Sequence, residues 1–317
     1  MYAVLALTAT VLTSLLPILN KRLLRVARPA QVAWAVNAAS LPILGIGTLL
    51  LTQCRLAGGT LTCGWQAPQV DRIFAVGLLG AALLNWAATL LSTYALAAAD
   101  ASLVSPLLTF NPAFTLGVAW LALGETPGGR QTAGVVVVLL GAYMLEANEL
   151  RGGLAAPLRT LLRRPGTVLA LLASALWGIT TVLEKLAIEH VTPQRGVQSG
   201  ALVAFASTLL LVTFLTPGAL WPRRVDKAPA GERGQGGKGR SRRYRGTLAT
   251  AALLAGIAPL FGFSAIAAGL VGYVTALFKL SAVLTVMWGW LFLQEGGVRQ
   301  RLLGAVVMVV GGVLIAG

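Results

Sequence analysis

The sequence predicts an all-α integral membrane protein whose ten transmembrane helices form two inverted five-helix repeats. Three observations carry this expectation. The 317 residues are 56% hydrophobic and only 11% charged, with a mean hydropathy of +0.79. The apolar residues fall in long runs with few or no charges, and a spanning helix takes about 20 of them. The pattern of polar and small residues in the first half returns in the second, in two ungapped blocks. Lipid leaves exposed backbone groups without partners, so only helices and closed barrels cross it. Barrel strands alternate apolar with polar residues, which these continuous runs do not.

The spans are read at 2–20, 30–51, 73–97, 101–123, 131–147, 166–186, 197–216, 247–268, 271–292 and 301–316. The first is a retained span and not a cleaved signal. It has no basic leading region, and Asn20, Lys21 and Arg22 stand where a small-residue cleavage site belongs. Polar or basic joints separate most spans. The third and fourth part tightly at Asp100, the eighth and ninth near Gly269 without a charge. The resulting organisation is a first repeat over 1–147, a basic linker over 148–165 and a second repeat over 166–317. Residues 222–246, rich in Gly, Arg and Lys and without apolar period, are expected as a disordered loop within the second repeat.

The internal repeat aligns 8–29 with 172–193 at an offset of 164, matching Lys21 with Lys185 and Pro29 with Pro193. It aligns 120–145 with 290–315 at an offset of 170. There Trp120, Glu125, Gly134 and Gly141 meet Trp290, Glu295, Gly304 and Gly311. Five spans per copy is an odd number, so the second copy enters the membrane from the opposite side. Inverted repeats of this kind place a solute site near the midplane between the copies.

The net charge of +15 raises nucleic acid as a partner, but nearly all the Lys and Arg sit between spans. Nine of them lie between Arg223 and Arg245, without the interleaved aromatics a nucleic-acid surface needs. Membrane topology accounts for that distribution. With the span-edge Lys185 and Arg301 counted in their adjoining loops, the loops after the odd-numbered spans hold 19 basic residues, against 5 after the even-numbered ones. The positive-inside rule puts the 19 in the cytoplasm and both termini outside. Cys54 and Cys63 then lie on the oxidising side, where a disulfide and two free thiols both remain open. Neither a CxxC motif nor a Cys/His ligand set is present, so no metal and no cofactor is expected.

The carrying motif reads AWLALGETPGGRQTAGVVVVLLGAYML at 119–145 and GWLFLQEGGVRQRLLGAVVMVVGGVLI at 289–315: a helix, a short turn with Glu, then a Gly-spaced helix. The first helix of each half ends in PILNK at 17–21 and TVLEK at 181–185. In these features the chain resembles the paired EamA domains of the drug/metabolite transporter superfamily. NPAF at 111–114 places Pro112 where that family often has a proline, and the second copy lacks it. The resemblance implies a carrier of amino acids, metabolites, sugars or drugs, commonly working outward. It also implies termini inside, against the charge count. The distantly related small multidrug-resistance transporters use a Glu eight residues before the terminal Lys of their first helix. Thr13 and Trp177 hold those positions here, so that proton-coupled cation mechanism is not expected.

Lys279 is the sharpest candidate for solute binding. It lies eight residues into the ninth span, about 12 Å deep at 1.5 Å per residue. A cation at that depth needs a cavity or a partner; the plain alternative is a snorkelling side chain. Glu184 is its expected partner, near the end of the sixth span on the same membrane face. In the first repeat Asn20 takes the place of Glu184 and Thr109 that of Lys279, a neutral pair where the second repeat has charges. Asn37, Asn85, Trp86, Asn111, Trp177, Thr180 and Thr181 are further binding or gating candidates. A solute site needs a few hydrogen-bonding groups in an apolar wall, although polar groups between helices also serve as packing contacts. Pro106 and Pro112 are expected to kink or break the fourth helix. Glu125 and Glu295 are read as acids that complement the start of their own following helices. Gly134, Gly141, Gly304 and Gly311 are read as close-packing positions.

The leading functional expectation is a secondary transporter, exporting a small metabolite or amino-acid-like solute by alternating access. The alternative is a non-transporting structural or regulatory membrane protein, which has no need of Lys279 inside the bilayer. A membrane enzyme is not expected, since the one histidine, His190, lies near a loop and no nucleophile constellation is present. The partners are therefore a small solute and the lipid bilayer, with monomer and homodimer both open.

Overall fold

The computed structural model describes residues 1–24, 27, 29–57, 60–63, 67–98, 108, 110–147, 165–192, 196–220, 237–281, 283, 284, 287, 288 and 298–316. The helices are α1 Tyr2–Ser14, α2 Leu16–Leu24, α3 Pro29–Gln53, α4 Arg72–Ala98, α5 Asn111–Leu123 and α6 Gly129–Ala147 in the first half. In the second half they are α7 Pro165–Glu189, α8 Val197–Leu220, α9 Gly237–Ala268, α10 Val271–Phe278 and α11 Val298–Ala316. Among the described residues six helical stretches are long and apolar enough to cross a membrane, and the shorter apolar helices belong to the remaining spans. The chain is an all-α membrane protein of ten passes in two inverted repeats.

The first pass is split at Leu15. Pro17 stands in the first turn of α2, where its missing N–H breaks the ladder running down from α1. The repeat puts Thr181 at the matching position, and α7 runs unbroken from Pro165 to Glu189. The ninth pass also departs from the expected continuous span, since α10 ends at Phe278 and the backbone turns at Lys279 and Leu280. At Pro112 the fourth pass is broken and not kinked: the backbone turns at Phe110, and Pro112 lies in the first turn of α5, where no N–H is needed. Pro106 and Thr109 lie outside the described residues. Of the loop expected over 222–246, residues 237–246 instead belong to α9, which begins at Gly237 as a helical extension of the eighth pass, and residues 222–236 lie outside the described residues.

Packing follows the repeat. α4 lies against α7, and its symmetry mate is the contact of α1 with α9. α3 meets α9 as α8 meets α4, and α5 meets α7 as α10 meets α1. The pairs α3–α8, α5–α10 and α6–α11 are each their own mates and lie on the two-fold axis. Two copies related by such an axis produce this set of paired contacts. The halves interlock instead of folding apart.

Lipid tails are as apolar as leucine, so these helices associate by fit. On α1 the large Val4, Leu7 and Val11 face outward, while Ala6, Ala9, Thr10 and Ser14 are buried. The α6–α11 crossing is closer still. A Cβ on Gly141 would lie 2.5 Å from the Met308 nitrogen and 2.8 Å from the Gly304 oxygen. One on Gly311 would lie 2.6 Å from the Val138 nitrogen and 2.8 Å from the Gly134 oxygen. The four glycines therefore let two backbones touch.

Two small sheets decorate the face that carries the N-terminus. β1 Cys54–Ala57 and β2 Thr60–Cys63 form an antiparallel hairpin in which Cys54 pairs with Cys63. β3 Gln69–Val70 pairs with β4 Val191–Thr192, tying the loop after α3 to the end of α7.

Candidate functional site

A cavity of about 450 Å³ lies between the halves. It is bounded by Asn85 of α4, Asn111 of α5, and Trp177, Thr180, Thr181 and Glu184 of α7. Ala9 and Thr13 of α1, Pro259 and Phe263 of α9, and Thr275, Phe278 and Lys279 at α10 complete the wall. Periodicity explains the α7 face: residues 177, 180, 181 and 184 fall at helical spacings of three and four, on one side of the helix.

Two interrupted passes meet here at positions the repeat makes equivalent. α5 begins at Asn111, and α10 ends beside Lys279. At the start of α5 the Ala113 N–H donates to the Phe110 carbonyl at 3.0 Å, and at the end of α10 the Lys279 and Leu280 N–H groups donate to the Ala276 and Leu277 carbonyls at 3.0 and 3.1 Å. A cation at a helix C-terminus is favoured by the dipole, which suits Lys279. Irregular backbone at membrane depth is tolerated where it lines a cavity.

The polar wall is braced across the halves. The Trp177 indole N–H donates to the Asn85 side-chain oxygen at 3.1 Å. The Ser174 hydroxyl donates to the Leu108 carbonyl at 3.4 Å. Thr180 and Thr181 donate to carbonyls one turn back, at 2.9 Å each, which satisfies their hydroxyls within α7. Glu184 and Lys279 both border the cavity, but the expected direct pair is not formed. Among the described residues the Glu184 carboxylate enters no ion pair, while the neighbouring Lys185 pairs with Glu125 and Glu189.

The other candidates fall elsewhere. Trp86 is 37% exposed on the outer surface, one position along from the cavity-facing Asn85. Asn37 donates to the Ala33 carbonyl of its own helix at 2.8 Å and is absent from the cavity wall. Asn20 also lies away from the wall, with a buried amide oxygen that has no partner among the described residues. Glu295 lies outside the described residues, as does the side chain of Lys21.

Sequence reasoning missed two things. The α9 wall, with Pro259, Gly262, Phe263 and Ile266, carries no polar signal; Pro259 inside the helix was the only trace. The second is the role of Glu125, which does not complement the start of its own helix α6. Its carboxylate accepts the Val271 N–H at 3.0 Å, so it caps α10 in the other half. It also lies 3.5 Å from the Lys185 ammonium. Lys185 donates to the Gly269 carbonyl at 2.6 Å and lies 3.8 Å from Glu189. The Lys185 and Glu125 side chains are 9% and 10% exposed, while Glu189 at the rim of the cluster is 49% exposed.

Glu125 sits on the turn between α5 and α6, outside the spanning helices. Burial pushes its carboxyl above the ordinary range; Lys185 and the Val271 N–H pull it back only in part. The folded chain therefore holds a proton that the unfolded chain has released, and stability falls as pH rises through that window. Thermal denaturation of the purified protein across the weakly acidic range should show this slope, and Glu125→Gln should flatten it. An unchanged slope in Glu125→Gln assigns it to another group.

Among the described residues no three His, Cys, Asp or Glu side chains gather as a metal site requires. A family model described as the EamA-like transporter family matches residues 1–146 and 164–317. A solved structure, described only as a crystal structure of a protein, shares the fold with a TM-score of 0.72 at 14% identity. The alignment covers 99% of this chain and 98% of that one. No curated protein matches the sequence.

Proposed function

Because the chain belongs to the EamA-like transporter family, we propose that it is a secondary carrier which exports a small metabolite or amino-acid-like solute. The two repeats alternate access to one site, the cavity between them. The observation that carries this reading is the cavity wall itself. It holds an acid, Glu184, and a base, Lys279, beside Asn85, Asn111 and Trp177, at the level where α5 and α10 are interrupted.

Chemistry at such a wall favours a solute with both signs of charge. The Lys279 ammonium donates to a carboxylate, and Glu184 accepts from an ammonium or hydroxyl. Phe263, Phe278 and Trp177 supply apolar surface for the remainder of the molecule. We place the chain in the cell (inner) membrane with the 19 basic loop residues in the cytoplasm and the termini outside, by the charge count. The halves are taken as 1–147 and 166–317, joined by 148–165.

A thermal-shift screen of purified protein against amino acids, sugars, nucleotides and cationic drugs tests the reading. A ligand that binds only the folded state raises its apparent stability, by about 2.7 kcal/mol at a hundredfold excess over Kd. Zwitterions are expected to shift the protein, and the same solutes to move down their gradients in proteoliposomes. Absence of shift and flux across the whole panel would leave the carrier reading without support.

A further inference from the structure

A carrier must shut one face of its site while the other is open. The cluster around Glu125 stands at the right place for this. Its members border the cavity in sequence and space: Lys185 follows Glu184, and Val271 lies one turn before Thr275, both of which line the wall. The geometry points to Glu125 and Lys185 as gating residues, a latch between the two halves that parts whenever the N-terminal face opens. This inference rests on the carrier reading.

Four observations support it. First, the latch joins opposite halves: Glu125 belongs to the α5–α6 turn, while Lys185, Gly269 and Val271 close α7, join α9 to α10 and begin α10. Second, both of its charged tips are held by several partners at once, namely the Glu125–Lys185 ion pair, the Gly269 carbonyl and the Val271 N–H. Third, α1 packs over the joint. A Cβ on Gly269 would lie 2.8 Å from the Tyr2 ring, and the Tyr2 hydroxyl donates to the Ile315 carbonyl at 3.0 Å. Fourth, the energetics suit a gate. The attraction of a buried ion pair is largely offset by the loss of hydration, so the closed and hydrated arrangements are close in free energy. A latch made of aliphatic side chains would lack that balance. Besides Lys185, the charged group facing Glu125 is Glu189; Tyr2, the Val271 N–H and the Gly269 carbonyl are neutral.

The repeat carries the two charged positions to Lys21 and Glu295.

The test needs no knowledge of the solute. In a Cys54→Ser, Cys63→Ser background, Thr275→Cys reports access to the cavity by reaction with a membrane-impermeant maleimide. The protein is reconstituted into vesicles sorted for one orientation. From the N-terminal face, Glu125→Gln and Lys185→Gln are each expected to speed labelling by about tenfold or more, the effect of 1.4 kcal/mol on an opening equilibrium. Lys185→Arg keeps the cation and should stay near the parent rate, which separates loss of the latch from general loosening. A linker stands in for the length of the two side chains, whose tips meet at 3.5 Å. Glu125→Cys with Lys185→Cys is therefore joined by a short bifunctional methanethiosulfonate. Cross-linking should block labelling from the N-terminal face until reduced, and leave labelling from the other face intact. If neither the neutral variants nor the cross-link alter labelling from the N-terminal face, the latch is overturned and the carrier reading stands. If no variant admits reagent from either face, the carrier reading fails and takes the latch with it.

Discussion

In Lys279→Ala, a solute that stabilises the parent protein loses about ten- to a hundredfold in apparent affinity, while the fold survives. A hydrogen bond to a charged group contributes about 1.5–3 kcal/mol, and each 1.4 kcal/mol is about tenfold in Kd. The fold survives because removing a cation from membrane depth also relieves its desolvation. The cavity wall at Phe278 and Thr275 is left in place. Thermal shift against the strongest hit of the screen, run on parent and variant side by side, measures both effects. Glu184→Gln is the companion. A zwitterionic solute weakens in both variants, an anionic one in Lys279→Ala alone. A shift that survives in Lys279→Ala places the solute away from this wall.

The second large effect is at the α6–α11 crossing. Gly141→Leu is expected to prevent stable folding, and Gly141→Ala to cost about 1–3 kcal/mol, the usual penalty of overpacking. Ordinarily the sign runs the other way. Alanine inside a helix is favoured over glycine by about 0.5–1 kcal/mol. Gly117 of α5 supplies that control, because a Cβ there meets nothing within 4 Å. Gly117→Ala should therefore leave stability unchanged or raise it, while Gly141→Ala lowers it. Apparent melting temperature in detergent, with size-exclusion profiles for the leucine variant, reads both. Equal effects at the two glycines would mean that the crossing does not depend on backbone approach.

These positions also show what a sequence can and cannot disclose. Spans are legible because the cost of polar groups in lipid acts on every residue, leaving runs that length alone identifies. Gly134, Gly141, Gly304 and Gly311 are legible because one packing solution is used twice, at the same spacing in each half. Polar cavity residues such as Asn85, Asn111 and Thr180 are legible because a polar side chain inside a span needs a reason. Which of two neighbours faces inward is not. Asn85 and Trp86 lie about 100° apart around the helix, and only the packing of α4 on α7 decides between them. Apolar wall residues are hidden for the opposite reason, since Phe263 and Ile266 look in sequence like any lipid-facing residue. The Glu125–Lys185 contact joins residues sixty apart across two halves. Local rules assign the acid to the nearest helix start, its own, when the tertiary fold brings another.

The α6–α11 crossing also bears on how the protein is made. α6 ends at Ala147, and its partner begins at Val298. During synthesis the fifth helix therefore waits in the membrane, its glycine face bare, while four more helices are inserted. α4 and α3 likewise wait for α7 and α8. A nascent chain halted at the linker has few of its final contacts and is a natural target for membrane quality control. The same interlocking means that the two halves, expressed as separate polypeptides, hold every surface needed to find one another.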